Sequence, residues 1–322
     1  MTVRVITDSS SCLPVERARE WGITVLPLHV VSSDDASSTS GLTALELAAA
    51  YGREMERSGD DGVVAVHLGQ KLSSTWSAAV AASAVFGGKV RVIETDSIGM
   101  PVGEAAMAAA CAAHNGGDLE ECARRASMIT GHSQLFLYLE RTDGLRRSGR
   151  MSTMSSLMSS ALPVKSLFSL HDGSFGVVAR TRTQAKAFTR LVDMVVDAAT
   201  VTTSADDEGD PSGERSADFG AGSSMGAVPA VSREAEGDLE PVRICIHHSG
   251  ADDRARIVGA GVKKALEDDN TFLELGKRWG IDELPSADVV LTQAELSPAL
   301  AVHTGAGAIA VSVINTRDAA EL

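Results

Sequence analysis

The sequence predicts an α/β fold in two domains, and three patterns carry that prediction. Short, almost wholly apolar runs alternate with helical segments through the first half of the chain. Such runs are typical of a parallel sheet that helices cover on both faces. In the second half, two apolar runs flank Asp172-Gly173, a dipeptide that favours a tight β-hairpin. We therefore expect an N-terminal domain over residues 1–147, with a mostly parallel sheet sandwiched by helices, and an α+β C-terminal domain over 148–322.

Capping residues and apolar periodicity locate the elements of the N-terminal domain. Pro14 suits the first turn of one helix, and Thr43 can cap the next. The predicted strands are Val3–Thr7, Ile23–Val31, Val63–Leu68, Val90–Glu94 and Leu135–Leu139, and Ser32–Ser40 is predicted as a polar loop. The predicted helices are Pro14–Trp21, Ala44–Arg57, Ser77–Val85, Pro101–His114 and Leu119–Ile129.

The C-terminal domain is predicted around the hairpin. Its strands are Val164–Leu170, Phe175–Ala179, Val242–His247, Asp288–Leu291 and Ala308–Val313. Its helices are Thr153–Ala161, Thr183–Ala199 and Asp252–Glu267. The segment 203–240 is rich in Gly, Ser and Asp without periodicity, which is typical of a disordered acidic insertion or a mobile surface loop.

The net charge of −14 is unevenly spread along the chain. Residues 203–240 carry ten acidic residues and two arginines, a net charge of −8, which leaves −6 for the other residues. Because phosphate contacts need clustered Lys and Arg, this balance argues against a nucleic-acid partner. No apolar run reaches the roughly 20 residues of a membrane span, so we expect no stable membrane insertion.

The N-terminus and the cysteines indicate a cytoplasmic protein. An apolar strand follows Met1 almost at once, so we expect no signal peptide. The four cysteines, Cys12, Cys111, Cys122 and Cys245, lie far apart without a CxxC or a metal-ligand spacing. Reduced thiols are the ordinary state of such cysteines in the cytoplasm.

Polar turns follow several of the predicted apolar elements in the N-terminal half. They are Asp8–Ser11, Thr39–Ser40, Ser73–Thr75 and Asp96–Ser97. Ligands of such sheets bind at the carboxyl ends of strands, where free N–H groups and a helix dipole favour an anion. Each turn alone is more often ordinary helix capping. Together they predict the polar wall of a pocket.

The motifs of a self-sufficient enzyme are missing from the sequence. There is no G-x-S-x-G elbow, no Walker-type phosphate loop and no G-x-G-x-x-G. His247 and His248 are adjacent at the end of a predicted strand and point in opposite directions there, so a paired metal site is not predicted. We therefore expect a binding protein without catalytic residues, metal or cofactor.

The order of the turns resembles the DegV family of bacterial fatty-acid-binding proteins. Eight short pieces match the family's motifs in the right order along nearly the whole chain, although each piece alone is weak. They are Val5-Ile6-Thr7-Asp8-Ser9-Ser10, Val25-Leu26-Pro27-Leu28, Thr39-Ser40, Leu72-Ser73-Ser74-Thr75, Asp96-Ser97, Ser148-Gly149-Arg150-Met151, Arg180-Thr181-Arg182 and His303-Thr304-Gly305-Ala306-Gly307.

The chain departs from the family pattern in four places. The short loop Val30–Thr39 replaces a helical segment that the family usually carries after its second strand. Gly41-Leu42 stands where the family has Gln-Pro, and Ser74 replaces a usual glycine. The acidic segment 203–240 looks like an insertion.

The resemblance implies a long-chain fatty acid bound between the two domains, with its carboxylate held by hydroxyls and its chain in an apolar tunnel. It implies Ser73 and Thr39 as the hydrogen-bond donors, and His303 as a further group at the pocket mouth. The alternative for His303 is a satisfied histidine in a glycine-rich turn, and both interpretations stand at this point. The stretch Met151–Leu162 can line the tunnel, although core packing is more common for such residues.

The resemblance also implies a partner, a fatty acid kinase that phosphorylates the presented carboxylate with ATP. Basic residues cluster between Arg141 and Arg190, and most are expected on a solvated face, paired with acids such as Asp143 and Asp193. We expect Arg150, Arg180 and Arg182 to dock the kinase, where positive charge also stabilises a transferred phosphate.

An enzyme is the alternative class of function. The family's fold is said to resemble that of dihydroxyacetone kinases, and a phosphotransfer subunit of that type would hold a small ketone with a histidine. His303 and His248 are the candidates for that role. A small ketone needs a polar pocket and a fatty acid needs a long apolar one, so the lining of the pocket discriminates between the two.

Overall fold

A computed structural model of the chain describes residues 2–32, 37–151, 164–200, 242–268 and 289–316. The strands in these residues are β1 (Arg4–Asp8), β2 (Thr24–Leu26), β3 (His29–Ser32), β4 (Ser37–Ser40), β5 (Val63–Val66), β6 (Val90–Ile93), β7 (Ser133–Tyr138), β8 (Lys165–His171), β9 (Ser174–Thr181), β10 (Val242–His248), β11 (Val289–Glu295) and β12 (Ile309–Ile314). The α-helices are α1 (Val15–Glu20), α2 (Ala44–Ser58), α3 (Thr75–Ser83), α4 (Met100–His114), α5 (Leu119–Gly131), α6 (Asp143–Arg147), α7 (Gln184–Thr200), α8 (Asp252–Asp268) and α9 (Pro298–Thr304).

The N-terminal sheet is parallel and carries helices on both faces. Its strand order is β2-β1-β5-β6. Alternate residues of β5 divide between two cores, because successive side chains of a strand point to opposite faces. Val64 and Val66 pack with α4 and α5, whereas Val63 and Ala65 pack with α2 and α3. The predicted parallel sheet sandwiched by helices is confirmed.

The second sheet is mixed and has the strand order β11-β10-β12-β7-β8-β9. Strands β10 and β11 are parallel, and the other neighbouring pairs are antiparallel. The hairpin β8–β9 turns at Asp172 and Gly173, whose φ angles are 47° and 65°. Positive φ at both central residues is what a type I′ turn requires, so the hairpin predicted from Asp-Gly is confirmed.

The two faces of this second sheet can be followed along β7. Phe136 and Tyr138 belong to a core with α7 and α8. Leu135 and Leu137 belong to a different core, which includes Leu68 from the N-terminal half. The sheet therefore packs its own helices on one face and the N-terminal half on the other.

Strand β7 lies before the expected domain boundary but pairs with β8 and β12 of the second sheet. Its side chains contribute to both cores of that sheet. The division after residue 147 remains a prediction, and the strand pairing groups β7 with the C-terminal elements.

The prediction of one strand over Ile23–Val31 followed by a polar loop over Ser32–Ser40 is wrong. Strand β2 ends before Pro27, which has no N–H to donate to a ladder. Strands β3 and β4 then form a separate antiparallel ribbon, in which Val30 pairs with Thr39. The serine-rich β4 lacks the apolar alternation by which a strand is recognised in a sequence.

The other predicted strands and helices in the described residues are confirmed within four residues at each end. Thr43 caps α2 as expected, in a reciprocal capping box with Glu46. Two short helices, α6 and α9, were not predicted. The predicted helix Thr153–Ala161 and the acidic insertion 203–240 lie outside the described residues.

Candidate functional site

A narrow cavity lies between the N-terminal half and the second sheet. Its empty volume is about 830 Å³, with the solvent space at its open mouth included. Its apolar lining comes from both halves of the chain: Leu28, Leu68, Leu72, Ile98, Leu135, Leu137, Leu145, Phe175, Leu296, Ala299, Leu300 and Ala310. Its polar lining comprises Thr39, Ser40, Ser73, Arg150, His247, His303 and Thr304.

Ser73 reaches the cavity from the turn between β5 and α3. Its Oγ accepts a hydrogen bond from the backbone N–H of Thr75 at 3.2 Å and lies 3.0 Å from Thr75 Oγ1. Thr75 is fully buried, and its Oγ1 also accepts the N–H of Leu42 at 3.2 Å. The turn is thus tied to the chain that leaves β4, and Ser73 is part of the cavity lining.

Gly41 is required for this approach of β4 to the turn. A Cβ at position 41 would lie 2.7 Å from Thr75 Oγ1 and 3.0 Å from the Oγ atoms of Ser73 and Ser74. Contacts below 3.0 Å are not tolerated without a shift of one partner. The replacement of Gln-Pro by Gly41-Leu42, noted as a departure from the family pattern, therefore belongs to the packing of this site.

Thr39 and His303 meet across the cavity wall. Thr39 Oγ1 lies 2.7 Å from Nε2 of His303, and both residues line the cavity. His303 lies in the last turn of α9 rather than in the glycine-rich turn that follows. Helix α6 packs closely against this point, because a Cβ at Gly144 would lie 2.5 Å from the carbonyl oxygen of His303.

Arg150 is the positively charged residue of the cavity lining. Its Nε donates to the carbonyl oxygen of Leu72 at 2.6 Å, one residue before Ser73. Among the described residues, its two terminal nitrogens have no hydrogen-bond partner. Burial lowers the pKa of Arg150 below its ordinary value. A half-buried guanidinium whose terminal N–H groups meet no acceptor among the described residues is suited to bind an anion.

His303 is neutral at pH 7. Burial lowers its pKa to about 4, and the positive charge of Arg150 adds to the effect. A neutral imidazole has one N–H donor and one acceptor nitrogen, so its Nε2 can take either role toward Thr39. Among the described residues of the lining, the positive charge therefore comes from Arg150, while Thr39, Ser73 and His303 supply neutral hydrogen-bonding groups.

Two of the four polar turns expected to form the pocket wall do line it, Thr39–Ser40 and the turn at Ser73. The expectation for Asp8–Ser11 is wrong, because the Asp8 carboxylate turns into the protein. It accepts from Ser10 N at 2.9 Å and Leu68 N at 3.3 Å. Asp96–Ser97 does not line the cavity either, and its backbone N–H groups bond to Glu94 and Thr95.

A buried hydrogen-bonded chain, missed in the sequence, lies behind the cavity wall. Asp8 Oδ2 lies 2.9 Å from Nδ1 of His67, whose Nε2 lies 3.0 Å from the hydroxyl of Tyr51. All three side chains are fully buried. Since Leu68 lines the cavity and its N–H binds Asp8, this chain fixes one wall. The sequence signal for it was a histidine inside an apolar strand.

The remaining predicted site residues fall in three places. Arg180 and Arg182 are exposed at the end of β9 and just beyond it, away from the cavity lining. Arg141 pairs with Asp143, and Arg190 with Asp193, as the solvated-face interpretation expected. Of the stretch Met151–Leu162, the structure describes only Met151. Its backbone forms an isolated β-bridge with Phe175, which lines the cavity.

The two adjacent histidines of β10 point in different directions. His247 lines the cavity, and burial lowers its pKa to about 4. His248 accepts the N–H of Ala251 through Nδ1. In the described parts of the chain, no group of three His, Cys, Asp or Glu side chains is arranged to hold a metal ion. Among the helices of those parts, none has the length and apolar character to span a membrane.

Comparison with known proteins places the chain in a family. Residues 32–207 match the sequence model described as "Uncharacterised protein, DegV family". A DegV domain-containing protein from Corynebacterium glutamicum is 38% identical over 323 residues, covering 100% of this chain and 97% of the relative.

Solved structures of DegV family proteins share the fold of this chain. The crystal structure of a DegV family protein from Corynebacterium glutamicum has a TM-score of 0.76 at 38% identity and covers 98% of both chains. That of a fatty acid binding DegV family protein from Streptococcus agalactiae has a TM-score of 0.71 at 18% identity, covering 98% of this chain and 99% of its own. The sequence match over the whole chain and the shared fold together show that this chain belongs to the DegV family.

Proposed function

We propose that this chain binds one long-chain fatty acid in the cavity between its two halves. The observation that carries the proposal is the composition of the cavity lining: a small set of hydroxyls, two histidines and an arginine, and a larger set of apolar residues that are mostly leucines. Structural neighbours support it, since the Streptococcus agalactiae protein is a fatty acid binding member of the family.

The head-group end suits an ionised carboxylate. We assign the carboxylate to the hydroxyls of Ser73 and Thr39, with His303 beside Thr39 at 2.7 Å. Hydrogen bonds to a charged acceptor contribute about 1.5–3 kcal/mol each. Partner docking by Arg150, expected from the sequence, remains a prediction, but its position in the lining favours a role toward the ligand. We therefore add Arg150 as the countercharge of the carboxylate.

The apolar lining supplies the affinity for the tail. Burial contributes about 0.8 kcal/mol per CH₂, so a long acyl chain gains on the order of 10 kcal/mol before the entropy lost on association is subtracted. Leu135 and Leu137 from β7 belong to the same apolar cluster as Leu68 and Leu72 from the N-terminal half, and all four line the cavity. The head group thus orients the ligand, and the leucines retain it.

This lining argues against the alternative of a phosphotransfer subunit that holds a small ketone. Such a ligand needs polar groups around most of its surface, and here the polar residues form a minority of the lining. His248, one candidate for holding the ketone, is not part of the lining.

The finer proposal is that the bound carboxylate is presented to a fatty acid kinase, which phosphorylates it with ATP. Arg180 and Arg182 remain our choice for docking that kinase. They lie on exposed positions at the end of an edge strand, five to seven residues from Phe175 in the cavity wall. At about 3.3 Å per residue, Arg180 is about 17 Å along the strand from the cavity, far enough to act on a partner without touching the lipid.

Identification of the co-purifying lipid tests fatty acid binding directly. Protein purified without added lipid is extracted with organic solvent, and the extract is analysed by mass spectrometry. We expect a long-chain fatty acid in near-stoichiometric amount, and a rise in unfolding temperature when palmitate or oleate is added to delipidated protein. No fatty acid in the extract and no stabilisation by either acid would overturn the proposal.

A further inference from the structure

The hydroxyl of Thr75 lies next to that of Ser73, the residue proposed to bind the ligand. Thr75 lies at the start of α3 with no exposed surface, and it is not part of the cavity lining, whereas Ser73 is. In the described parts of the chain its Oγ1 has two polar neighbours, the N–H of Leu42 at 3.2 Å and Oγ of Ser73 at 3.0 Å.

Counting donors and acceptors fixes the direction of the bond between the two hydroxyls. The N–H of Leu42 can only donate, so it occupies an acceptor position of Thr75 Oγ1. The proton of the Thr75 hydroxyl then needs an acceptor, because a buried unpaired donor is costly. Of its two polar neighbours, Ser73 Oγ is the one that can accept. Thr75 therefore donates to Ser73.

The same count of donors and acceptors shows which positions of the Ser73 hydroxyl are occupied. Its Oγ accepts one hydrogen bond from the N–H of Thr75 at 3.2 Å and a second from the Thr75 hydroxyl at 3.0 Å. A hydroxyl oxygen accepts at two positions, so both are occupied. The single remaining group is the Ser73 proton, and Ser73 lines the cavity. Ser73 then meets a ligand as a donor and never as an acceptor.

We propose that Thr75 is a positioning residue that makes Ser73 a one-directional donor and so selects a ligand head group rich in acceptors. This inference rests on the proposed fatty acid binding and deepens it by naming what sets head-group selectivity. An ionised carboxylate offers only acceptors and is favoured. A neutral alcohol accepts more weakly, and an alkylammonium offers no acceptor to Ser73 at all.

The test measures dissociation constants of delipidated protein for palmitate and for 1-hexadecanol, which share the same tail. The Thr75→Val variant keeps the shape of the side chain and removes its hydroxyl. The Thr75→Ser variant keeps the hydroxyl and is the conservative control. We expect Thr75→Val to weaken palmitate binding about tenfold and hexadecanol binding by no more than about twofold. Thr75→Ser should stay within about threefold of the wild type for both ligands. Should Thr75→Val not fold, Thr75→Cys, with a thiol that is a weak donor, takes its place.

A double-mutant cycle distinguishes the positioning of Ser73 by Thr75 from a general disturbance of the cavity wall. In a Ser73→Ala background, the Thr75→Val change should cause no further loss of palmitate affinity, because the residue it positions is already absent. Equal losses for palmitate and hexadecanol, or an undiminished loss in the Ser73→Ala background, would overturn the inference. Failure of the wild type to bind palmitate would instead overturn the proposed function, so the two failures are distinguishable.

Discussion

Thr39 Oγ1 and His303 Nε2 lie 2.7 Å apart although 264 residues separate them in the sequence. The contact joins the β3–β4 ribbon of the N-terminal half to helix α9 near the C-terminus. It occurs in the wall of the cavity, beside a leucine-rich lining. The proposed head-group site is therefore assembled from distant parts of the chain and depends on the packing of the two halves.

Removal of the two hydroxyls should weaken fatty acid binding. Each of Thr39→Ala and Ser73→Ala deletes one hydrogen bond to a charged acceptor, and we expect about a tenfold rise in the dissociation constant for palmitate from each. The double variant should lose about 100-fold. Titration calorimetry on delipidated protein measures this. Ser74→Ala, at an exposed neighbouring hydroxyl, is the control and should bind as the wild type does. A double variant of unchanged affinity would remove Ser73 and Thr39 from the site.

Gly41→Ala should weaken binding by displacing the turn that carries Ser73. The new Cβ would lie 2.7 Å from Thr75 Oγ1, so β4 must move away from the turn that carries Ser73. We expect a loss of palmitate affinity of at least about tenfold together with a lower unfolding temperature. Gly52→Ala is the matched control, because nothing lies within 4 Å of its Cβ and alanine stabilises a helix interior by about 1 kcal/mol. Equal behaviour of the two variants would contradict the role of Gly41.

Stability should decrease as the pH falls from about 6.5 to about 4. Burial lowers the pKa of His247 to about 4, with a smaller effect of His248. In the unfolded chain the same group titrates near pH 6.5. Between these values the unfolded chain binds the extra proton, so the free energy of unfolding falls as the pH falls, by at most about 1.4 kcal/mol per pH unit for this histidine.

Denaturant unfolding at a series of pH values measures this slope. His247→Gln removes the titrating group and should make the slope shallower than in the wild type. His303, whose pKa is also lowered to about 4, keeps part of the dependence in that variant. A slope unchanged by His247→Gln would show that His247 does not titrate as its burial requires.

Charge reversal at Arg180 and Arg182 should separate lipid binding from phosphorylation. Arg180→Glu/Arg182→Glu should bind palmitate as the wild type does, because both residues lie away from the cavity lining. With a fatty acid kinase and ATP, the rate of fatty acid phosphorylation should fall at least about tenfold. Arg124→Glu/Arg125→Glu on α5 changes the net charge equally and is the control. Loss of lipid binding by the Arg180/Arg182 variant would show that the docking assignment is wrong.

The sequence predicted the parts of the fold that depend on local patterns. The apolar runs of β1, β5 and β6 and the Asp172-Gly173 turn are strong local signals, and the structure has each of them. Strand β4 was missed because four residues of Ser and Thr carry no alternation, and its pairing with β3 is what makes it a strand.

The site was predictable in its residue types and not in its arrangement. The resemblance to a known family singled out Thr39, Ser73 and His303, which all line the cavity. The position of Arg150 was not predictable, because a basic residue after a glycine is ordinarily exposed and its place here depends on a hydrogen bond to the carbonyl oxygen of Leu72, 78 residues earlier in the chain. The support of Ser73 by Thr75 was also invisible, since it depends on the approach of Leu42 from another segment.

The most direct test of the account is a crystal structure of the protein with palmitate. We expect electron density for one palmitate between the two halves, with a carboxylate oxygen within about 3.2 Å of Ser73 Oγ and of Thr39 Oγ1. The acyl chain should run along the leucines of β7. A carboxylate bound elsewhere, or a cavity closed to the acyl chain at saturating palmitate, would contradict the central claim.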